Sequence, residues 1–199
     1  MVKKVQDYYF KKAKKENYPA RSVYKLEEAQ EKHAILKKGD KVLDLGCQPG
    51  SWSMYSAKIV GPSGMVVGID LQSGKKIHQT RGAKITTICA DIMAPETLAV
   101  LTEYAEKYDV LVSDMAPMTT GNKWADQQHS LDLSRQALLL AEKLLKSGGN
   151  FYCKVFEGED FKLFFEAIRG KFEFAKIVKP KSSRKESREV FVLGKGFLA

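Results

Sequence analysis

Apolar residues recur along this chain in two rhythms. Short runs at 41–45, 65–70, 84–90, 109–113 and 150–156 read as strands. Stretches with apolar residues three and four apart read as helices over 51–60, 95–106, 126–146 and 159–169. Pro95 suits a first helical turn, and Gly148-Gly149 stops the long helix. Strands at 172–178 and 188–193 close the chain. Ahead of this alternation, 3–17 reads as a basic helix broken by Tyr18-Pro19. A second helix follows over 22–35, with Val23, Leu26, Ala29 and His33 on one face.

Strands alternating with helices predict an α/β, Rossmann-like architecture: a mostly parallel seven-stranded sheet with helices on both faces. The link at 179–187 is too short for a parallel crossover, so the last strand should be antiparallel. One domain over 1–199 is expected, with 1–35 as a basic helical extension.

One residue breaks the apolar rhythm. In the strand at 150–156, Phe151, Cys153 and Val155 face one side, and Tyr152, Lys154 and Phe156 the other. A lysine there is costly unless it is paired or used. Ligands on an open α/β sheet sit beyond the carboxyl ends of its parallel strands. Asp114 ends the fourth strand, Lys154 lies in the next, and Glu189 begins the antiparallel one, so the three converge on one edge. Lys25 joins them if its helix folds over that edge. An interior lysine paired with Glu189 for structure alone is the plain alternative.

The same edge carries a glycine turn. Gly46 and Gly50, in LDLGCQPGSW, follow the first strand and precede a helix. The spacing is G-x-x-x-G with a proline inside, unlike the G-x-G-x-x-G of pyrophosphate sites. It suits a smaller ligand with a carboxylate, such as the methionine end of S-adenosylmethionine. Asp70, at the second strand end, can take ribose hydroxyls, and Asp91, at the third, can reach an adenine amino group.

Composition narrows the partners. With 44% hydrophobic and 29% charged residues the chain reads as soluble and globular. No apolar run approaches the roughly 20 residues of a membrane span, and the Lys-rich start has no signal-peptide core. Cys47, Cys89 and Cys153 are widely spaced, which predicts unpaired thiols in a reducing, cytoplasmic compartment and argues against zinc. His33, His78 and His129 are isolated, and no metal is expected.

The net charge of +9 is concentrated in two segments. One holds Lys11, Lys12, Lys14, Lys15 and Arg21 among Tyr8, Tyr9, Phe10 and Tyr18. The other holds Lys179, Lys181, Arg184, Lys185 and Arg188, and leads directly into Glu189. Cations interleaved with aromatics suit a phosphate backbone with stackable bases. Solvated lysine-rich faces are the alternative.

Motifs in order then carry a resemblance from about Tyr8 to Phe197: ARSVYKL, LDLGCQPGSW, SDMAP, LDLSRQ, CKVFEGE and KPKSSRKESREVFVLG. The chain resembles the FtsJ-type (RrmJ-like) ribose 2′-O-methyltransferases, which modify RNA with S-adenosylmethionine. The resemblance implies a methyltransferase fold of the Rossmann-like kind. It places a catalytic Lys-Asp-Lys-Glu tetrad on Lys25, Asp114, Lys154 and Glu189, and cofactor contacts on Gly50, Trp52, Asp70, Asp91 and Asp114. Two departures stand out: Cys47-Gln48, where the family more often has two alanines, and Met118-Thr-Thr-Gly after SDMAP. The first touches cofactor contacts, the second substrate fit.

The resemblance makes Lys154 the general base or steering group for a ribose hydroxyl. Neutrality at physiological pH needs its pKa to fall by about three units, roughly 4 kcal/mol. Burial and Lys25 would lower it, Asp114 and Glu189 would raise it. The implied target is a uridine in the A loop of large-subunit (23S) rRNA, in the assembled subunit or a late precursor, acted on by a monomer. Enzymes of the tRNA anticodon loop or mRNA cap share the tetrad. A non-catalytic ribosome-assembly factor and a nicotinamide-dependent oxidoreductase are readings from other classes.

Overall fold

The computed structural model describes residues 3–74, 77, 82–118, 120–184 and 186–199, with side chains from residue 8 onward. Lys185 and His78 therefore lie outside the described residues. Seven strands form one sheet: β1 Lys41–Leu45, β2 Met65–Asp70, β3 Lys84–Cys89, β4 Tyr108–Ser113, β5 Leu145–Phe156, β6 Phe172–Val178 and β7 Glu189–Phe197. Their order is β3-β2-β1-β4-β5-β7-β6. All neighbours pair in parallel except those of β7, which inserts between β5 and β6 and runs against both. The antiparallel last strand is as expected from its short connection.

Helices cover both faces. α4 Thr97–Tyr104, α5 Lys123–Leu144 and α6 Phe161–Arg169 bury their apolar sides against Leu43, Leu45, Phe151, Cys153 and Val155. On the other face α1 Lys3–Lys15, α2 Val23–His33 and α3 Ser51–Val60 pack over Val42, Val112, Tyr152 and Phe191. The two faces of β5 separate its residues as the alternation of a strand requires.

Several boundaries differ from the sequence expectation, and the largest shifts have local reasons. α5 begins three residues early because Asn122 accepts the main-chain N–H groups of Trp124 and Ala125, at 3.0 and 3.3 Å. It ends at Leu144, and β5 starts at once. Gly148-Gly149 lie in a bulge of β5, where the register jumps from Tyr108↔Leu145 to Val110↔Asn150. β7 runs on through Gly-Lys-Gly to Phe197, since pairing with both β5 and β6 outweighs the weak strand preference of glycine.

The α2–α3 layer is joined to the sheet by Trp52, which is 3% exposed. Its ring lies 5.7 Å from Tyr152 and 5.8 Å from Phe191, centroid to centroid, and its indole N–H donates to the Ser22 carbonyl at 2.9 Å. Trp52→Ala is expected to cost about 3–5 kcal/mol, read as a lower urea midpoint. Trp52→Phe, which keeps a ring but loses the hydrogen bond, should cost less.

Candidate active site

Lys154 sits in β5 opposite Phe191 of β7, on the face covered by α2 and α3, and is 6% exposed. An ammonium this buried needs compensation nearby. Asp114, one residue past β4, supplies it twice. Lys154 Nζ lies 3.0 Å from Asp114 Oδ1 and donates to the Asp114 main-chain oxygen at 2.6 Å. Asp114 Oδ1 also lies 3.3 Å from Lys25 Nζ, which lies 2.8 Å from Glu189 Oε2. The structure thus brings all four tetrad residues into one chain of alternating charge. Lys25 arrives from α2 because that helix packs on Tyr152, whose hydroxyl donates to the Lys25 carbonyl at 3.3 Å.

Neighbours fix this chain in place. Ser183 Oγ donates to Glu189 Oε1 at 2.8 Å, and Glu189 N–H donates to Ser187 Oγ at 3.1 Å. Lys25 Nζ stands 5.5 Å from the centre of the Phe191 ring. Burial, with the charges of Asp114, Glu28 and Glu189, holds the Tyr152 phenol well above its usual range. Tyr152 is therefore a donor and not a base.

The glycine turn lies at the same edge. Gly46 and Gly50 have φ of 74° and 111°, a region that favours glycine. A Cβ on Gly46 would stand 2.5 Å from Met115 Cγ, and one on Gly50 would stand 2.7 Å from Ile77. Gly50 caps α3, whose first main-chain N–H groups have no partner within the helix. Trp52 lies in that first turn, but its indole is committed to the core. It can offer a ligand its main-chain N–H.

Asp70 Oδ2 accepts the Gln48 N–H at 3.0 Å, and Oδ1 accepts the Gln72 N–H at 2.9 Å. Each carboxylate oxygen keeps a further lone pair for a hydroxyl. Asp91 is exposed, with Oδ1 accepting the Met93 N–H at 2.9 Å. The register Asp70↔Cys89 puts both acids at one sheet edge. Amide donors at a helix start beside two strand-end carboxylates fit the amino-acid and nucleoside ends of S-adenosylmethionine. Of the departures, Cys47 is buried, and burial raises its thiol above the usual range, so it stays neutral. Gln48 packs its amide against Gly74, and Met118 is 94% exposed.

Several cations expected at an RNA face also make contacts within the protein. Lys12 lies 3.3 Å from Glu27 and 3.8 Å from Glu16, above the Tyr24 ring at 4.2 Å. Lys179 Nζ donates to the carbonyls of Ser187 and Glu189, at 2.5 and 2.6 Å. Arg21 donates to the Ser182 carbonyl at 3.0 Å. Lys11, Lys14, Lys15, Lys181 and Arg184 are exposed.

Sequence reasoning missed Glu28, which accepts the main-chain N–H groups of Lys181 and Ser182 at 2.8 and 2.9 Å. It also missed Ser183. Glu28 had a signal: it lies three residues after Lys25, hence on the same side of α2. Among the described residues, no cluster of His, Cys, Asp and Glu is placed to hold a metal, and no helix is long and apolar enough to cross a membrane.

Residues 18–197 match the FtsJ-like methyltransferase family. The chain belongs to that family. Close relatives of this FtsJ-like protein carry the name ribosomal RNA large subunit methyltransferase E. The protein of Desulfotalea psychrophila is 54% identical over 193 residues, covering 97% of this chain and 96% of the relative. That of Brachyspira hyodysenteriae is 45% identical over 196 residues, covering 98% of each. A crystal structure of a Plasmodium falciparum protein assigned as a ribosomal RNA methyltransferase aligns with a TM-score of 0.78 at 27% identity. It covers 92% of this chain and 100% of the other. The FtsJ-like fold is thus shared across distant relatives, and the chain is a methyltransferase.

Beneath the FtsJ-like turn lies Asp44, fully buried, with its Oδ2 accepting from Ser53 Oγ at 2.6 Å. Burial, aided by the charges of Asp114 and Asp70, pushes its carboxyl up to about 7. An unfolded aspartate ionises near pH 4, about three units lower. The folded state therefore binds more protons across this window, so stability falls as pH rises from about 4 to about 7. Asp44→Asn keeps the acceptor for Ser53 and has no charge to bury. Its melting temperature should gain on wild type between pH 5 and pH 8; an unchanged difference would show that Asp44 does not titrate here.

Proposed function

We propose that this protein methylates a ribose 2′-hydroxyl in RNA, a uridine in the A loop of 23S rRNA in the large subunit or a late precursor, with Lys154 as the general base. The observation that carries the chemistry is the alternating chain Lys154–Asp114–Lys25–Glu189 beside the glycine turn. The RNA target rests on the names of the relatives and on the resemblance of the motifs.

S-adenosylmethionine, when bound, supplies a methyl group on a positively charged sulfur. The amide donors at the start of α3 would hold its carboxylate, Asp70 its ribose and Asp91 its adenine. Lys154 then deals with the substrate proton. To act as a base Lys154 first loses one proton in the substrate complex; the neutral amine that remains has two N–H groups and one lone pair. Asp114 accepts one N–H at its main-chain oxygen and holds its Oδ1 3.0 Å from the nitrogen, and the lone pair takes the 2′-hydroxyl proton. Asp114 is in turn fixed by Lys25, and Lys25 by Glu189. The base is thus oriented before substrate arrives, and much of the rate gain comes from that orientation.

Lys154→Ala is expected to lower the single-turnover methylation rate by about 10²–10⁴-fold while leaving S-adenosylmethionine affinity intact. Lys154→Arg keeps a cation that cannot give up its proton and should fall as far. A rate for Lys154→Ala within a few-fold of wild type removes Lys154 from the chemistry. Mapping 2′-O-methyl groups by mass spectrometry, on RNA from cells with and without the gene, tests the target.

The exposed lysines of α1 suit the RNA backbone better than Lys12 does. Replacing Lys14 and Lys15 together by alanine should weaken RNA binding and spare cofactor affinity. Equal losses of both would reject that role.

A further inference from the structure

The edge opposite the tetrad holds a second cationic concavity. Lys25 and Glu189 meet at one end of α2 and β7. About 12 Å further along the helix and about 20 Å along the strand, the two elements are clamped again. There Lys195 Nζ donates to the His33 carbonyl at 2.6 Å. Around this clamp lies a hollow lined by Lys32, His33, Lys37, Asn150, Glu173 and Lys195. Lys176 of β6 adds its charge to the group. Glu173 is the one carboxylate in the lining, and it packs against Gly196. Asn150 donates to the Ile35 carbonyl at 2.7 Å and anchors the floor.

Four lysines, from α2, the segment after it, β6 and β7, thus gather about one half-buried imidazole. Burial comes first, then the charges of Lys176, Lys195 and Lys32, in holding the His33 ring below its usual range. Structural duties account for part of the cluster. Lys195 satisfies a carbonyl at the end of α2, and Lys32 lies 4.0 Å from Glu28. Lys37 and Lys176 are exposed cations of the cluster, drawn from the segment after α2 and from β6. Like charges gathered in a hollow repel unless an anion joins them. The RNA presented to the tetrad carries such anions at every nucleotide.

We infer that this hollow binds a backbone phosphate of the same RNA, as a second anchor on the far edge of the sheet. The inference rests on the RNA-methylation reading. A strand held at both ends must span about 20 Å of protein. The anchor therefore acts on a large folded RNA and not on a short oligonucleotide confined to the catalytic edge.

The test uses the full-length protein and the variant Lys37→Ala/Lys176→Ala, which leaves the tetrad and glycine turn untouched. For a large-subunit rRNA substrate, the variant should bind about 10-fold more weakly. The slope of log affinity against log salt should shrink by about one to two. The rate at saturating RNA should be unchanged, and a short oligonucleotide around the target should bind both proteins alike. A normal salt slope with normal methylation overturns the anchor and leaves the reaction standing, as does an equal loss on the short oligonucleotide.

A second readout needs no methylation. Inorganic phosphate, exchanged for chloride at constant ionic strength, should move the His33 ring titration in the proton NMR spectrum to higher pH. The shift should shrink in the variant. If large-subunit RNA is never methylated, the reaction reading falls, and this titration decides the anion site alone. A His33 titration blind to phosphate overturns it.

Discussion

Lys154 has to be paid for in electrostatic terms before it can do anything else. A buried ammonium without a partner costs several kcal/mol, and this one lies between apolar layers on a central strand. Asp114 can compensate it only because β4 and β5 are parallel neighbours, which brings the residue after one strand alongside the other. Asp114, now buried against one lysine, is balanced by a second from α2. That lysine draws in Glu189 from the start of β7. The requirement to neutralise one charge thus couples the strand order, the docking of α2 and the insertion of β7.

The glycine-turn side of the edge obeys a different rule. It is built from main-chain donors and carboxylates that serve the main chain. Asp70 ties the glycine turn to the end of β2 before any ligand is present. Asp44, directly below, is fully buried, and burial, aided by the charges of Asp114 and Asp70, pushes its carboxyl up to about 7.

Much of this was legible in the chain. The β1, β2 and β6 boundaries and the two faces of β5 follow from apolar periodicity alone. The antiparallel β7 follows from a loop too short to cross over. Other features were hidden because their partners lie far away in sequence. Nothing near Gly148-Gly149 announces a bulge opposite β4, so the glycines read as a helix stop. Ser183 looks like an ordinary loop serine until Glu189 is seen to accept from it. Trp52 reads as a cofactor contact at a helix start, yet its ring is buried between Tyr152 and Phe191.

The basic segments show how a charge run can mislead. Counted as charge, 179–188 is a cationic stretch, with five Lys/Arg against Glu186. In the fold it is a loop held by its own charges and those of α2 and the turn before it: Lys179 closes it on itself, Arg21 holds a carbonyl, and Glu28 takes two N–H groups. A lysine whose ammonium fills carbonyl acceptors has fewer donors left for phosphate. The remaining exposed cations sit on a loop held to the helix that bears Lys25. Ser183 and Glu189 join that loop to Lys25 of the tetrad, so RNA bound there, as proposed, would bear on it. On the proposed function, substrate binding and base orientation share that loop, so a substitution at Ser183 or Glu28 should act on turnover and not only on affinity.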